Sequence, residues 1–430
     1  EYVPPGWTEW YTLGDPVHGG NSRYYNYTIS NNGKAEVHGS NYKGDYLTDV
    51  LHTRAIKFLK DVEEKRRISG DKEPFFMMIG TPAAHASFTP APQYWDTAEG
   101  EKAPRTANWN KVFKDKHQPL RDLHPMNETQ VEESDRIYAN RLGVLRSVDD
   151  MVGAIVSQLE RSGILEDTYL FYTGDNGFHL GQNAMGLDKR QLYESDIRVP
   201  FYVRGPSIPS GVERSEPISH VDLAPTIVEI ATGSVPSNWD GQSYLSMLKD
   251  EEPVDWRNET LIQYYGEAPF SYTGSEGVID PNGVESCGSH RLDYKVTAAG
   301  EYVAFYQGEY IPAVCDSPNN TYTCLRRANH DLTVDDIYCE FQCFKDGPGT
   351  EPVPCPPDQP EGYGEYYDMT TDPWQTKNKA LQLSKAIKDQ FAARLNQLKS
   401  CSGQAECAGS SVTRHRIIDD HKYAAQIEVM

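Results

Sequence analysis

Alternating helical stripes and short apolar strands predict an α/β protein whose helices flank a parallel sheet. Three observations carry this. Two stretches, 53–69 and 147–159, repeat apolar residues at helical spacing. Three short apolar runs, at 74–79, 168–172 and 199–204, are bounded by Gly, Pro or other turn residues, as buried strands are. Near residue 250 the texture changes to a Cys- and Tyr-rich region of short strands. The expected division is 1–250 for the α/β domain, 251–410 for a smaller disulfide-bearing α+β domain, and 411–430 for an extended tail.

Taken in order, residues 1–50 lack a long period and read as loop with short strands. Thr53 to Ser69 reads as a helix, because Ala55, Ile56, Leu59 and Val62 share one face and Gly70 stops it. The run Pro74 to Ile79 reads as a buried parallel strand that ends in Thr81-Pro-Ala-Ala-His85. Residues 86–135, rich in Pro, Asn and charge, read as a long surface excursion over one end of the fold. Ser147 and Asp150 then resemble a capping box, and Val148, Met151, Val152, Ile155, Val156 and Leu159 form an apolar stripe closed by Gly163. Thr168 to Tyr172 is a strand leading into Thr173-Gly-Asp-Asn-Gly177; Val199 to Arg204 is the next. A helix follows from about Val221 to Ala231, and a late amphipathic one spans Leu381 to Leu398.

Composition narrows the function classes. Lys plus Arg number 41 against 63 Asp plus Glu, a net charge of −22, which argues against a nucleic-acid binder. No apolar run approaches the ~18 residues a membrane span needs. The chain opens on Glu1 with no basic-then-apolar leader behind it, so a processed or truncated product is expected. All 8 cysteines lie from Cys287 onward. Their even number and clustering point to disulfides, with Cys401 and Cys407 closing a short loop on each other and the other pairings open. Zinc through Cys339 and Cys343 is the rival reading, without histidines at finger spacing. Four N-x-S/T sequons, at Asn26, Asn127, Asn258 and Asn319, agree with a secreted or lysosomal glycoprotein.

In open α/β sheets, ligands bind beyond the carboxyl ends of the strands. One such end delivers His85. Another delivers Asp175 and Asn176, with His179 close behind and Lys189 and Arg190 after a Gly-rich turn. A carboxylate beside an amide carbonyl is a hard-oxygen pair suited to Ca²⁺ or Mg²⁺. Asp-Asn-Gly is equally an ordinary turn tripeptide, a lone histidine is more often structural, and a lone lysine is usually solvated. Together these residues would suit an oxyanion ester.

At these positions the chain resembles the sulfatase family. Thr173-Gly-Asp-Asn-Gly-Phe-His-Leu-Gly-Gln182, Asp188-Lys-Arg-Gln-Leu-Tyr193 and Asp196-Ile-Arg-Val-Pro200 carry the resemblance. Tyr24-Tyr-Asn-Tyr-Thr28, Ala91-Pro-Gln-Tyr94, Val203-Arg-Gly-Pro206, Asp222-Leu-Ala-Pro-Thr226 and Cys401-Ser-Gly403 extend it in the family's order. Within the family it is most similar to the lysosomal N-acetylglucosamine-6-sulfatases. The resemblance implies an alkaline-phosphatase-like α/β domain with a parallel or mixed sheet, and a smaller C-terminal domain built on an antiparallel sheet. It implies one Ca²⁺ with Asp175 and Asn176 among its ligands, His85 protonating the departing sugar oxygen, and Lys189 contacting the sulfate. His179 would line the substrate pocket, and His117 would match another pocket histidine. Where the family has Ala-Pro-His, this chain has Ala84-His85.

The family's nucleophile is a formylglycine made within a Cys/Ser-x-Pro/Ala-x-Arg motif, and the 430 residues do not contain it. The early Asp-Asp and Lys-x-His pairs are also not found. The expectation is a sulfatase whose N-terminal segment is supplied separately, as its own cleaved chain or as sequence beyond these 430 residues, with this chain inactive alone. Partners expected are a sulfated glycosaminoglycan and a second copy in a homodimer, with no nucleic acid and no membrane span. The rival readings are an inactive sulfatase-fold structural or carbohydrate-binding glycoprotein, and an arylsulfatase of other specificity.

Overall fold

The computed structural model describes residues 2–14, 24–70, 72–121, 123–250, 256–266, 293–296, 302–306, 309–312, 320–342 and 363–407. Backbone packing divides the chain into two units: Glu1–Ala103 with Val131–Leu170, and Pro104–Gln130 with Phe171–Met430. The boundary expected near residue 250 falls inside the second unit, where 251–255 lie outside the described residues.

In the first unit β1 (Tyr11–Leu13), β2 (Thr28–Asn31) and β3 (Lys34–Val37) form an antiparallel meander. Asn32 and Gly33 turn it at φ 49° and 84°, the positive pair that tight hairpins require. Helix α1 (Leu47–Ser69) ends on Gly70 at φ 69°. Its Ala55 and Leu59 pack against Val148, Met151, Ile155 and Leu159 of α3 (Glu128–Arg161). The stripe at 147–159 is thus one part of a 34-residue helix. Its N-terminus sits inside the expected excursion because Asn127 and Gln130 cap it reciprocally. Gln130 N donates to Asn127 Oδ1 at 3.0 Å and Asn127 N to Gln130 Oε1 at 2.9 Å.

Residues 73–80 run without a ladder partner among the described residues, so the expected buried strand is corrected. Phe75, Met77 and Ile79 pack on the α1–α3 core, while Phe76 and Met78 are 54% and 75% exposed. A continuous apolar run implied two covered faces; period-two alternation leaves one open.

In the second unit β4 (Leu170–Thr173) pairs with β7 (Phe201–Arg204). Between them β5 (His179–Leu180) pairs antiparallel with β6 (Leu187–Asp188). Short helices α2 (Gln118–Arg121), α4 (Glu194–Ile197) and α6 (Leu245–Leu248) punctuate the loops. Helix α5 (Leu223–Thr232) stops at Gly233, close to expectation.

The antiparallel C-terminal sheet has the order β14 (Gly364–Asp368), β13 (Asp335–Gln342), β12 (Thr321–Ala328), β8 (Glu259–Tyr264). Alternation makes it two-faced. Tyr322, Ile337, Phe341 and Tyr367 pack against Leu120, Met185, Leu192 and Tyr193. Leu325, Tyr338 and Tyr366 pack beneath Phe391 and Leu395 of α7 (Lys385–Ser400). Strands β9 (Asp293–Val296), β10 (Tyr302–Tyr306) and β11 (Glu309–Pro312) form a second antiparallel sheet.

Cys324 and Cys339 face each other across β12 and β13 and are bonded, which removes Cys339 as a zinc ligand. Cys401 bonds Cys407 at α8 (Gln404–Cys407), as expected. Cys343 and Asn319 lie outside the described residues. No helix among the described residues is long and apolar enough to cross a membrane.

Candidate active site

Strand β4 ends in Thr173 and releases the turn Gly174-Asp-Asn-Gly177. Asp175 and Asn176 are both exposed. Asn176 N donates to Asp175 Oδ1 at 2.9 Å, and Asn176 Nδ2 donates to Gly177 O at 2.8 Å. The amide nitrogen is thereby committed, and the amide oxygen remains as its acceptor atom. The turn is pinned to the start of α4: Gly177 N donates to Asp196 O at 2.8 Å and Phe178 N to Ser195 O at 2.7 Å. A Cβ on Gly177 would lie 2.1 Å from Ser195 O, so glycine is the residue that permits this approach.

Asp175 and Asn176 offer a carboxylate and an amide oxygen, donors that fit a hard cation. They supply part of the roughly six to eight oxygens Ca²⁺ takes. Among the described residues no cluster of three His, Cys, Asp or Glu gathers to hold a metal.

His179, on β5, is 1% exposed. Its Nδ1 lies 3.0 and 2.9 Å from the two carboxylate oxygens of Asp196. Its Nε2 is buried and has no partner among the described residues. Lys189 follows β6 and is half-buried. Next to it, Arg190 pairs with Asp188, and Arg190 N and Gln191 N donate to Asp196 Oδ2 at 3.0 and 2.8 Å. The Asp175 turn, His179 and the Lys189 loop therefore all attach to one short helix, α4.

His117 adjoins the residue that precedes α4, its ring stacked 6.4 Å from that of Tyr193. It is fully buried, with Nδ1 3.0 Å from Glu365 Oε1 and its ring 4.6 Å from that of Phe341. Tyr193 and Tyr367 donate to Glu365 Oε2 at 2.9 and 2.7 Å. Lys116 donates to Tyr367 Oη at 2.9 Å and to Gln375 O at 2.7 Å. Burial drives the Lys116 ammonium down to about 8 against the pull of Glu365. Burial also raises the Glu365 carboxyl, but the His117 hydrogen bond and the His117 and Lys116 charges outweigh it and hold it at about 2.

His85 belongs to the first unit and is exposed at the head of an anchored turn. Tyr24 Oη donates to His85 O at 2.9 Å, and Arg141 Nη1 donates to Ala84 O at 2.8 Å. His85 Nδ1 lies 3.1 Å from Ala86 O. A carbonyl only accepts, so this contact assigns the proton to Nδ1. Of the sequons, Asn26 and Asn127 are exposed and Asn258 is half-buried.

Sequence reading gave no role to Asp196, Lys116 or Glu365. Asp196 stood inside a recognised motif, so its signal was present. The other two are an ordinary lysine and glutamate until the sheet brings them together.

The sulfatase family pattern matches residues 5–234, and the pattern described as N-sulphoglucosamine sulphohydrolase, C-terminal, matches 184–285. The N-acetylglucosamine-6-sulfatase of Bos taurus is 38% identical over 411 residues, 94% of this chain and 63% of that protein. That of Homo sapiens is 37% identical over 412 residues, 94% of this chain and 64% of that protein. The chain thus spans under two thirds of these relatives' length. A solved structure of BT4656 in complex with its substrate D-glucosamine-2-N,6-O-disulfate superposes with a TM-score of 0.63 at 21% identity, covering 92% of this chain and 76% of that one. That likeness gives the fold, an alkaline-phosphatase-like α/β architecture with a C-terminal antiparallel sheet. With a family pattern over half its length and relatives matching nearly all of it, the chain belongs to the sulfatase family.

Proposed function

We propose that the protein is a sulfuric ester hydrolase that removes the 6-sulfate from N-acetylglucosamine residues of glycosaminoglycans such as keratan or heparan sulfate. The observation that supports this is identity of 37–38% to N-acetylglucosamine-6-sulfatases, held over 94% of the chain.

A sulfate monoester is anionic and repels nucleophiles. Asp175 and Asn176 would hold a Ca²⁺, whose charge offsets that of the ester. Lys189 adds a second cation and binds the sulfate. His179 lines the sugar side; His117, fully buried against Glu365, is given no contact with the sugar. On the family resemblance alone, His85 is the proton donor to the departing sugar oxygen. These 430 residues do not contain the Cys/Ser-x-Pro/Ala-x-Arg motif, so in this reading the formylglycine nucleophile is supplied separately and the chain by itself is expected not to turn over sulfate esters. The bonded cysteine pairs and the exposed sequons at Asn26 and Asn127 support a lysosomal or secreted glycoprotein.

The test is sulfate release from N-acetylglucosamine 6-sulfate and from an aryl sulfate, by the chain alone and joined to a segment bearing the formylglycine motif. Turnover of the sugar sulfate is expected only in the joined form, and Lys189→Ala lowers kcat/KM by a hundredfold or so. Turnover by the chain alone, or preference for the aryl ester, contradicts the reading.

A further inference from the structure

Asp196 is 5% exposed, and its carboxylate receives donors from three places. His179 Nδ1 stands 3.0 and 2.9 Å from Oδ1 and Oδ2. Ser195 Oγ donates to Oδ1 at 2.8 Å. Arg190 N and Gln191 N donate to Oδ2 at 3.0 and 2.8 Å. Arg190 holds φ 140°, a backbone state that side-chain-bearing residues seldom adopt, at the point where its N–H meets the carboxylate. Asp196 O accepts from Gly177 N at 2.8 Å. One residue therefore holds the Asp175 turn by its backbone, and His179 and the Lys189 loop by its side chain.

A carboxylate offers only acceptors. Facing one, an imidazole places a proton on the near nitrogen, and that fixes the ring's orientation and the role of the far one. Here the near nitrogen is Nδ1. The far one, Nε2, is the atom left buried without a partner among the described residues.

We propose that Asp196 is a positioning residue: it fixes His179 with a proton on Nδ1 and anchors the loop that presents Lys189 to a sulfate. The second half rests on the sulfatase reading above; the first does not. Asp196 touches no reacting atom. It acts through His179 and through the backbone of Arg190 and Gln191.

The test starts with the wild-type chain labelled with ¹⁵N-histidine, with the His179 resonances identified by their loss in His179→Gln. A protonated Nδ1 at neutral pH is expected; an unprotonated Nδ1 overturns the proposal. In Asp196→Asn the Nδ1 signal should shift toward the unprotonated form. The dissociation constant for inorganic sulfate, read by calorimetry, should rise roughly tenfold, as loss of such an orienting partner does. Asp196→Glu should restore part of both. A folded Asp196→Asn with unchanged His179 signals and unchanged sulfate binding refutes the positioning role. If Lys189→Ala leaves sulfate binding unchanged while Asp196→Asn still moves the His179 signals, the sulfate reading fails and the positioning of His179 stands. Should Asp196→Asn not fold, the wild-type spectrum alone decides.

Discussion

Glu365 and Lys116 carry opposite charges into the same interior, and each titrates away from its ordinary range. Glu365 keeps its charge down to about 2, against an ordinary value of 4.5. A carboxyl with a depressed folded value stabilises the native state above its unfolded value and loses that contribution as the pH falls through the folded one. The contribution is therefore complete above pH 4.5 and fades between 4.5 and about 2. Lys116 has the same sign in a higher window. Its folded value of about 8 lies below 10.5, so the native state gains as the pH rises between them. Glu365→Gln should cost about 3 kcal/mol at pH 7, because His117, Tyr193 and Tyr367 lose an ionised acceptor. In urea titrations that difference from wild type should shrink below pH 4.5; a constant difference down to pH 2.5 would contradict the assignment.

At the scale of elements, the Asp175 turn depends on one close approach. A Cβ on Gly177 meets Ser195 O at 2.1 Å. Gly177→Ala must therefore push the turn off α4. Destabilisation by about 2 kcal/mol or more is expected, together with loss of Ca²⁺ binding, checked by thermal unfolding and calorimetry. Wild-type Ca²⁺ affinity in this variant would show that the turn does not need α4.

The same scale shows what the sequence made legible. Helix α1, the core of α3, β4, β7, α5 and α7 followed from local periodicity, and the Cys401–Cys407 loop from spacing. The start of α3 was readable in Asn127-Glu-Thr-Gln130, but polar residues around it masked the cap. The open face of 73–80 was not readable, since an apolar run does not say which neighbours cover it. Nor was the Asp196 hub: its donors come from 179, 190, 191 and 195, and only the fold assembles them.

At the scale of the whole molecule, charge and compartment meet. The chain carries −22 near neutrality and has an isoelectric point near 5.0. Acidification toward that point relieves repulsion among its 63 carboxylates. Glu365, held at about 2, stays ionised throughout. The thermal midpoint at pH 5 should then equal or exceed that at pH 7 in scanning calorimetry. A fall of more than ~5 °C would count against an acid-adapted interior.

The central claim is that Asp175 and Asn176 grip a divalent cation on the turn after β4. Calcium titration calorimetry of the wild-type chain and of Asp175→Ala, each shown to be folded by circular dichroism, tests it most directly. One Ca²⁺ bound by the wild type and none by the variant is the predicted result; identical isotherms for the two would contradict it.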